Sequence, residues 1–302
     1  MVSIIVEQTV ASSQGAGESV RGSVILAVLG QVQTGAERAL LFFILYVLAG
    51  IFVGLASGLF GIGGGVIVVP VLLPIFAAQG LGIDIAMHLA VGSSLATIVV
   101  TGMSSARAHW QLGNILSSAL PWLIAGLMAG ALSGAQVAAA LPGDTLRVIF
   151  AGFLLVLALR LFIYKQPAAN RSLPHPAIVA GVGFIIGVIS SLVGIGGGAM
   201  VVPFLVWGGV AMRQAVGTSA AAGVCIAIAG SIGFVLAGTG DDQLPAWSSG
   251  YIYWPAVLGI TLSSAIFAPI GARLASRLPA LLLRRAFAVM LVLVSLRLFF
   301  GS

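Results

Sequence analysis

The sequence predicts an all-α, polytopic membrane protein built from two homologous halves. Of its 302 residues, 60% are hydrophobic and only 7% are charged, and the mean hydropathy is +1.19. Soluble domains carry about 25% charged residues, so this composition does not suit a surface in water. Several apolar runs also reach the length of about 20 residues that a membrane-spanning helix needs. The main landmarks of the sequence occur twice in the same order, which predicts the two halves.

Ten apolar segments follow one another along the chain, five in each half. They are residues 40–60, 66–78, 89–105, 115–141 and 146–164 in the first half, and residues 178–193, 199–208, 215–238, 252–278 and 281–300 in the second. The second segment of each half is too short for a comfortable crossing at about 1.5 Å per residue. We therefore expect eight to ten transmembrane segments, with a short or broken second helix in each half.

The strongest repeated landmark is a glycine-rich motif. Residues 58–70 read Gly-Leu-Phe-Gly-Ile-Gly-Gly-Gly-Val-Ile-Val-Val-Pro, and residues 191–203 read Ser-Leu-Val-Gly-Ile-Gly-Gly-Gly-Ala-Met-Val-Val-Pro. Glycine costs about 1 kcal/mol relative to alanine inside a helix, so three in a row predict an interruption. A second element, Ala-Val-Gly-Ser-Ser at residues 90–94, returns as Ala-Val-Gly-Thr-Ser at residues 215–219.

These landmarks divide the chain into four regions. Residues 1–38 form a polar or interfacial N-terminal arm, residues 39–165 the first membrane repeat, residues 166–175 a cytoplasmic linker and residues 176–302 the second repeat. A secretory signal carries a basic residue ahead of its apolar core, whereas the first charged residue here is Glu7. We therefore do not predict a cleaved signal.

The basic residues indicate how the halves are oriented. Lys and Arg crowd the connection between the halves and the last loop, and cytoplasmic loops are the ones enriched in these residues. If all five segments of each half cross, the halves are inverted repeats and one glycine motif approaches from each side of the membrane. If the short segments are re-entrant, eight crossings remain and the repeats are parallel. We favour the inverted arrangement.

The glycine motifs are the predicted substrate site, at Gly63, Gly64 and Gly65 and again at Gly196, Gly197 and Gly198. In an unwound glycine turn, backbone amides converge, and the following helix adds the positive end of its dipole. Both features favour an anion. Tight helix packing is the alternative, since glycine also serves that purpose in membranes. The matched duplication, with a proline five residues after each last glycine, favours a site.

Four hydroxyl side chains are further candidates for substrate binding: Ser93, Ser94, Thr218 and Ser219. We expect them at the starts of long apolar segments, where they can donate to a bound anion. Helix capping or a hydrogen bond back onto the helix is the alternative role.

Three basic side chains are candidates for a gate or for recruiting the anion. Arg107 and His109 lie close to the end of the third segment, where an interfacial anchor is the alternative. His88 stands just before the first Val-Gly-Ser-Ser element, where a histidine can titrate near neutral pH. Its alternative is an ordinary interfacial histidine.

Several other protein classes are disfavoured. All seven acidic residues lie in the N-terminal arm or near predicted segment ends, whereas cation transporters use a carboxylate inside the membrane. No P-loop and no His-Glu-x-x-His motif occurs, so we expect no ATP drive, no cofactor and no metal. The net charge of +6 is scattered beside apolar runs, which does not predict nucleic-acid binding. Cys225 is expected to be a buried, inert thiol.

The paired Gly-Ile-Gly-Gly-Gly-x-x-x-x-Pro elements and the Ala-Val-Gly-[Ser/Thr]-Ser elements resemble those of the TauE/SafE sulfite exporter family, also called toluenesulfonate uptake permeases. The likeness covers about residues 41 to 300. It implies a multi-pass carrier of the inner (plasma) membrane for small sulfur-containing anions, such as sulfite, sulfonates or sulfoacetate-like compounds. The site residues that it implies are the glycines and hydroxyls named above, with a looser match at Arg107 and His109.

We therefore predict a secondary transporter or facilitator, not an enzyme, which exports more readily than it imports. Its expected partners are a small anion and membrane lipid; a homo-oligomer and a coupling ion are left open. The alternatives are a carrier of a carboxylate or an amino-acid-like solute, an intramembrane enzyme, or a structural subunit of a larger complex. No Ser stands at a recognisable spacing from any of the three His, which disfavours the enzyme.

Overall fold

The computed structural model describes residues 35–60, 65–116, 120–163, 172–275 and 277–300 of the chain. Within them it contains ten helices and one pair of two-residue strands. These are α1 (Gly35–Phe60), α2 (Gly65–Ala78), α3 (Ile83–Gln111), α4 (Leu120–Ala140), α5 (Gly143–Ile163), α6 (Pro176–Val193), α7 (Gly198–Trp207), α8 (Met212–Ala237), β1 (Ser248–Ser249), β2 (Ile252–Tyr253), α9 (Trp254–Ala275) and α10 (Ala280–Phe300).

The chain forms two compact units, Met1–Ile44 and Leu45–Ser302. In the first unit the structure describes residues 35–44, which are helical and begin α1. The rest of the predicted arm lies outside the described residues. All packing reported below is within the second unit.

The predicted fold class is confirmed: the protein is a polytopic, helical membrane protein. Of the described helices, α1, α3, α4, α5, α6, α8 and α9 are long and apolar enough to cross a membrane, which makes seven. The helices α2 and α7 have only 14 and 10 residues, so the second helix of each half is short, as predicted. The last helix, α10, has 21 residues and carries three arginines, Arg284, Arg285 and Arg297.

Some predicted segment boundaries are wrong. The third segment was expected to begin at residue 89, but α3 already begins at Ile83, because Asp84 and His88 find hydrogen-bond partners inside the protein. The eighth begins slightly earlier than expected, at Met212. The strands β1 and β2, which form an antiparallel pair before α9, were not predicted.

Helices of one half pack against helices of the other half. Glycines Gly126, Gly130 and Gly134 of α4 face the backbone of α6, and Gly50, Gly54 and Gly58 of α1 face the backbone of α9. A Cβ at Gly54 would lie 2.7 Å from the Cα of Ser264, far inside normal contact. The first helix of each half therefore packs against the fourth helix of the other half.

The centre of the second unit is the pair of third helices, α3 and α8, which pack against each other. In the most apolar stretch of α3, 72% of the residues are buried, against at most 44% in the other six long apolar helices. The short helices flank this pair, since α2 contacts α3 and α7 contacts α8. The described parts of the glycine motifs, Gly65 and residues 194–198, therefore lie beside the two central helices.

Candidate functional site

In the second half, the glycine motif breaks the chain between α6 and α7. The helix α6 ends at Val193, and Gly194 follows with a left-handed φ of 69°. The helix α7 starts after Gly197, which has a left-handed φ of 70°. Side chains other than glycine rarely adopt this conformation, so two glycines let the chain turn twice in four residues. The predicted helix break is confirmed here.

The start of α7 leaves backbone donors available. The carbonyl oxygen of Gly197 accepts from the amides of Met200 and Val201, at 2.9 and 2.8 Å. The amides of Gly198 and Ala199 therefore have no acceptor within the helix. Together with the positive end of the helix dipole, they can bind an anion at this point.

A proline and an arginine shape the first turn of α7. Pro203 has no N–H, so it cannot bond to the carbonyl of Ala199 one turn earlier. The guanidinium of Arg160, on α5, donates to this carbonyl oxygen at 2.9 Å. The arginine thus satisfies an acceptor that the proline leaves open, and it places a positive charge beside the start of α7.

In the first half, α2 starts at Gly65, the last residue of the Gly-Ile-Gly-Gly-Gly sequence at residues 61–65. The predicted site residues Gly63 and Gly64 lie outside the described residues. A Cβ at Gly65 would lie 2.8 Å from the carbonyl oxygen of Gly194 and 3.2 Å from the Cα of Ile195. The first residue of α2 therefore touches the break in the second half, so the two glycine motifs meet.

Ile98 of α3 lies at this meeting point. Its side chain would be 2.6 Å from a Cβ at Gly65 and 3.0 Å from a Cβ at Gly196, and it is 7% exposed. One apolar side chain thus contacts both glycine motifs. At the same level on α8, Gly223 lets its helix approach the break, because a Cβ there would lie 2.6 Å from the carbonyl oxygen of Gly196.

Two of the four predicted hydroxyl residues face the glycine motifs. The Ser94 hydroxyl donates to the carbonyl oxygen of Gly194 at 2.8 Å and lies 3.4 Å from that of Gly65. The Ser219 hydroxyl oxygen is 3.7 Å from the position of a Cβ at Gly198. Ser94 therefore joins the two motifs, while Ser219, on α8, lies beside the start of α7.

The other two, Ser93 and Thr218, hold loops in place. The Ser93 hydroxyl oxygen accepts from the amide of Tyr253, and that of Thr218 accepts from the amide of Leu116, both at 2.9 Å. Tyr253 immediately precedes α9, and Leu116 comes shortly before α4. These contacts support the loops that lead into the fourth helix of each half. A role in substrate binding stays a prediction for both residues.

The glycines of the two Val-Gly-[Ser/Thr]-Ser elements serve the same loops. Gly92 packs against the carbonyl oxygen of Tyr251, and Gly217 packs against that of Asn114. The four hydroxyl residues were predicted at the starts of their segments, which is wrong. All four lie inside α3 or α8, whose N-caps are Gly82 and Ala211, so none of them is an N-cap.

His88 is 5% exposed and lies near the start of α3, close to the end of α4. Its Nε2 is 3.0 Å from the carbonyl oxygen of Ala138, and its Nδ1 contacts that of Asp84. The ring is 5.0 Å from that of Tyr251, whose pKa is raised by burial and by the neighbouring Asp241 carboxylate. His88, Tyr251 and Asp241 border an open cleft of about 420 Å³. A place of His88 on the substrate path stays a prediction.

Arg107 and His109 lie in the last turns of α3, apart from the glycine motifs in sequence. Arg107 is exposed, whereas His109 is half-buried and its Nδ1 has no hydrogen-bond partner among the described residues. Their role as a gate stays a prediction. In the described part of the chain, no group of three or more His, Cys, Asp or Glu is placed to hold a metal ion.

Three residues at the site were missed from the sequence: Ile98, Arg160 and Ser190. The carbonyl oxygen of Ser190 accepts from the amide of Ile195, inside the break, at 2.9 Å. Arg160 had a usable signal, because Arg-Leu-Phe at residues 160–162 returns at residues 297–299. Ser190 also had one, because Ser57 precedes the first glycine run at the same spacing. Ile98 had no such signal in the sequence, because the corresponding residue of the second half is Gly223.

Comparison with known proteins agrees with this architecture. A family model described as sulfite exporter TauE/SafE matches residues 46–298. A probable membrane transporter protein of Haemophilus influenzae is 38% identical over 260 residues, which cover 85% of this chain and 98% of the relative. The probable membrane transporter protein YdhB of Bacillus subtilis is 26% identical over 266 residues, which cover 85% of this chain and all of the relative. No solved structure matches the chain.

Proposed function

The chain belongs to the sulfite exporter TauE/SafE family and is a membrane transporter, and we propose that it carries small sulfur-containing oxyanions, such as sulfite or an organosulfonate, across the inner membrane. It acts as a secondary transporter or facilitator, without ATP hydrolysis of its own. The substrate binds where the two glycine motifs meet.

The observation that carries this proposal is the contact between Gly65 and the break at Gly194 and Ile195. An interrupted helix inside a membrane protein exposes backbone groups that lipid cannot satisfy. Such breaks are tolerated where they line a cavity or a binding site, and transporters place their substrates there. The break in the second half, which the first residue of α2 touches beside the two central helices, fits this arrangement.

The available groups favour an anion. An oxyanion loses its hydration water on entering the membrane, and hydrogen-bond donors must replace it. The amides of Gly198 and Ala199, the start of α7 and the hydroxyl of Ser219 provide donors and positive potential. The described acidic residues of the spanning helices, Glu37, Asp84 and Asp144, lie in first turns rather than in helix centres.

Alternating access follows from the packing of helices of one half against helices of the other half. Because α1 packs on α9 and α4 packs on α6, a rocking motion of one packed pair relative to the other changes the surroundings of both glycine motifs together. In the inverted arrangement that we propose for the two halves, the inward-facing and outward-facing states are related by symmetry. The contact at Gly65 then opens on one side of the membrane at a time.

The membrane potential favours export. Moving one negative charge out of a cell that is negative inside releases about 2.3 kcal/mol per 100 mV. Export of a monovalent anion therefore needs no coupling ion, whereas uptake against the potential needs one.

Counterflow in proteoliposomes tests the proposal. Vesicles containing purified protein and unlabelled sulfite are diluted into labelled sulfite, and transient accumulation of label is expected. Parallel vesicles are loaded with a sulfonate, a carboxylate or an amino acid. Accumulation of a carboxylate or amino acid alone would contradict the substrate class, and absence of counterflow with every anion would contradict the carrier.

A further inference from the structure

A buried hydroxyl near the end of α6 has no hydrogen-bond partner in the described part of the chain. Ser190 is 0% exposed, and its Oγ makes no hydrogen bond with any described residue. Buried hydroxyls are nearly always hydrogen-bonded, because burying one without a partner is unfavourable. Nothing in the proposed packing of the halves explains why a serine rather than an alanine stands here.

The backbone holds Ser190 at the edge of the break. Its carbonyl oxygen accepts from the amide of Gly194 and, at 2.9 Å, from that of Ile195. Its hydroxyl oxygen lies 3.4 Å from the position that a Cβ at Gly197 would occupy. The side chain therefore faces the residue that precedes α7, where the amides of Gly198 and Ala199 have no acceptor within the helix.

We infer that the Ser190 hydroxyl is a binding donor for the transported oxyanion. The inference rests on the proposed function and adds a residue to its site. One oxygen of the anion accepts from the hydroxyl, and another accepts from the amides at the start of α7. Three donors that converge from two helix ends suit an anion with several oxygens on one atom, such as sulfite or a sulfonate.

The neighbouring serine provides a matched control. Ser191 is also 0% exposed, and its Oγ also has no partner among the described residues. That oxygen, however, lies 2.8 Å from the position of a Cβ at Gly230, on α8. Ser191 thus faces a helix contact rather than the break, although its chemistry and burial match those of Ser190.

The test combines two measurements on Ser190→Ala, Ser190→Thr and Ser191→Ala. The first is the KM for sulfite in proteoliposomes, and the second is the shift in melting temperature that sulfite causes in detergent. Loss of a hydrogen bond to a charged ligand lowers affinity roughly ten- to hundredfold. We expect Ser190→Ala alone to raise the KM for sulfite by this factor and to abolish the sulfite-induced shift in melting temperature. Ser190→Thr should retain most of the affinity for sulfite.

The stability of the ligand-free protein separates binding from structure. Removing a buried hydroxyl that has no partner should leave the melting temperature without sulfite unchanged or raised. A clear drop in that temperature would show a structural role and overturn the inference, as would a KM within twofold of wild type in Ser190→Ala. If the wild-type protein itself neither transports nor binds sulfite or a sulfonate, the proposed function fails, and the role of Ser190 fails with it.

Discussion

Ile98 of α3 contacts both glycine motifs, whereas the matching position on α8 is Gly223. The neighbouring pair differs in the same sense, since Leu95 in the first half corresponds to Ala220 in the second. The side of the meeting point that α3 provides is filled by the side chain of Ile98, whereas Leu95 faces Gly230 of α8. On the α8 side, the backbone of Gly223 lies directly against that of Gly196, and the side chain of Ile226 faces Gly197.

Other repeat-related positions keep their contacts in both halves. Gly92 and Gly217 each pack against a loop carbonyl, and Ser93 and Thr218 each accept from a loop amide. The contacts that position the fourth helices are thus alike in both halves, while the side chains that α3 and α8 place beside the glycine motifs differ. A single asymmetric substrate fits such a site better than two equivalent anions do.

The largest effect is expected from Gly197→Val. A valine at a φ of 70° is strained, and its Cβ would overlap the side chain of Ile226. The break would have to move, and displacement of binding groups by about 1 Å can cost a hundredfold in rate. We expect sulfite counterflow to fall by about this factor. The measurement is initial counterflow rate per reconstituted protein.

The control for this change is Gly181→Val, on the open face of α6 near the start of that helix and away from the break. A Cβ at Gly181 meets no atom within 4 Å, so transport should stay near the wild-type rate. Near-normal transport by Gly197→Val would mean that the glycine break does not bind the substrate. Expression and melting temperature of both variants show whether the protein still folds.

A smaller effect, on selectivity, is expected from Ile98→Ala. Removing this side chain widens the space between Gly65 and Gly196 and makes the first half resemble the second. One methylene in a hydrophobic pocket already shifts discrimination about tenfold or more, and Ile98→Ala removes three side-chain carbons. We expect the ratio of bulky sulfonate transport to sulfite transport to rise by this factor, measured by competition in counterflow.

Loss of stability is the confounding effect, because Ile→Ala in a core costs about 2–5 kcal/mol. Ile260→Ala is the matched control, since Ile260 is fully buried against Gly50, on the contact between α1 and α9. It should cost similar stability without changing selectivity. An equal change of selectivity in both variants would show that Ile98 acts only through packing.

Much of the fold was predictable because hydropathy and the repeat are local properties of the sequence. The apolar runs located the ten helices, and triple glycine located the break that Gly194 and Gly197 form. The boundary of α3 was mispredicted, because the early residues Asp84 and His88 are polar. Their polar groups bond to Gly143 and Ala138 of distant segments, and no local pattern indicates such partners.

The site was predictable only in part, for a related reason. Composition and duplication pointed to Ser94 and Ser219, but nothing in the pattern distinguished them from Ser93 and Thr218. That distinction depends on which side of α3 or α8 faces a glycine motif and which faces a loop. Ser190 is identified because its hydroxyl is buried without a partner among the described residues, and only the packed structure shows this.

The smallest effect is expected from the paired changes Ser94→Ala and Ser219→Ala. The pair separates stabilisation of the break between α6 and α7 from binding of the substrate at that break. The Ser94 hydroxyl donates to the buried carbonyl of Gly194, and loss of such a bond costs about 1–3 kcal/mol of stability. Ser94→Ala should therefore lower the melting temperature and leave the KM for sulfite nearly unchanged. Ser219→Ala should do the reverse, with a KM about threefold higher, because its hydroxyl lies at the start of α7 and contributes one donor among several. The same response in both variants would mean that the two halves use these serines equivalently, and the asymmetry at the glycine motifs would then be one of packing alone.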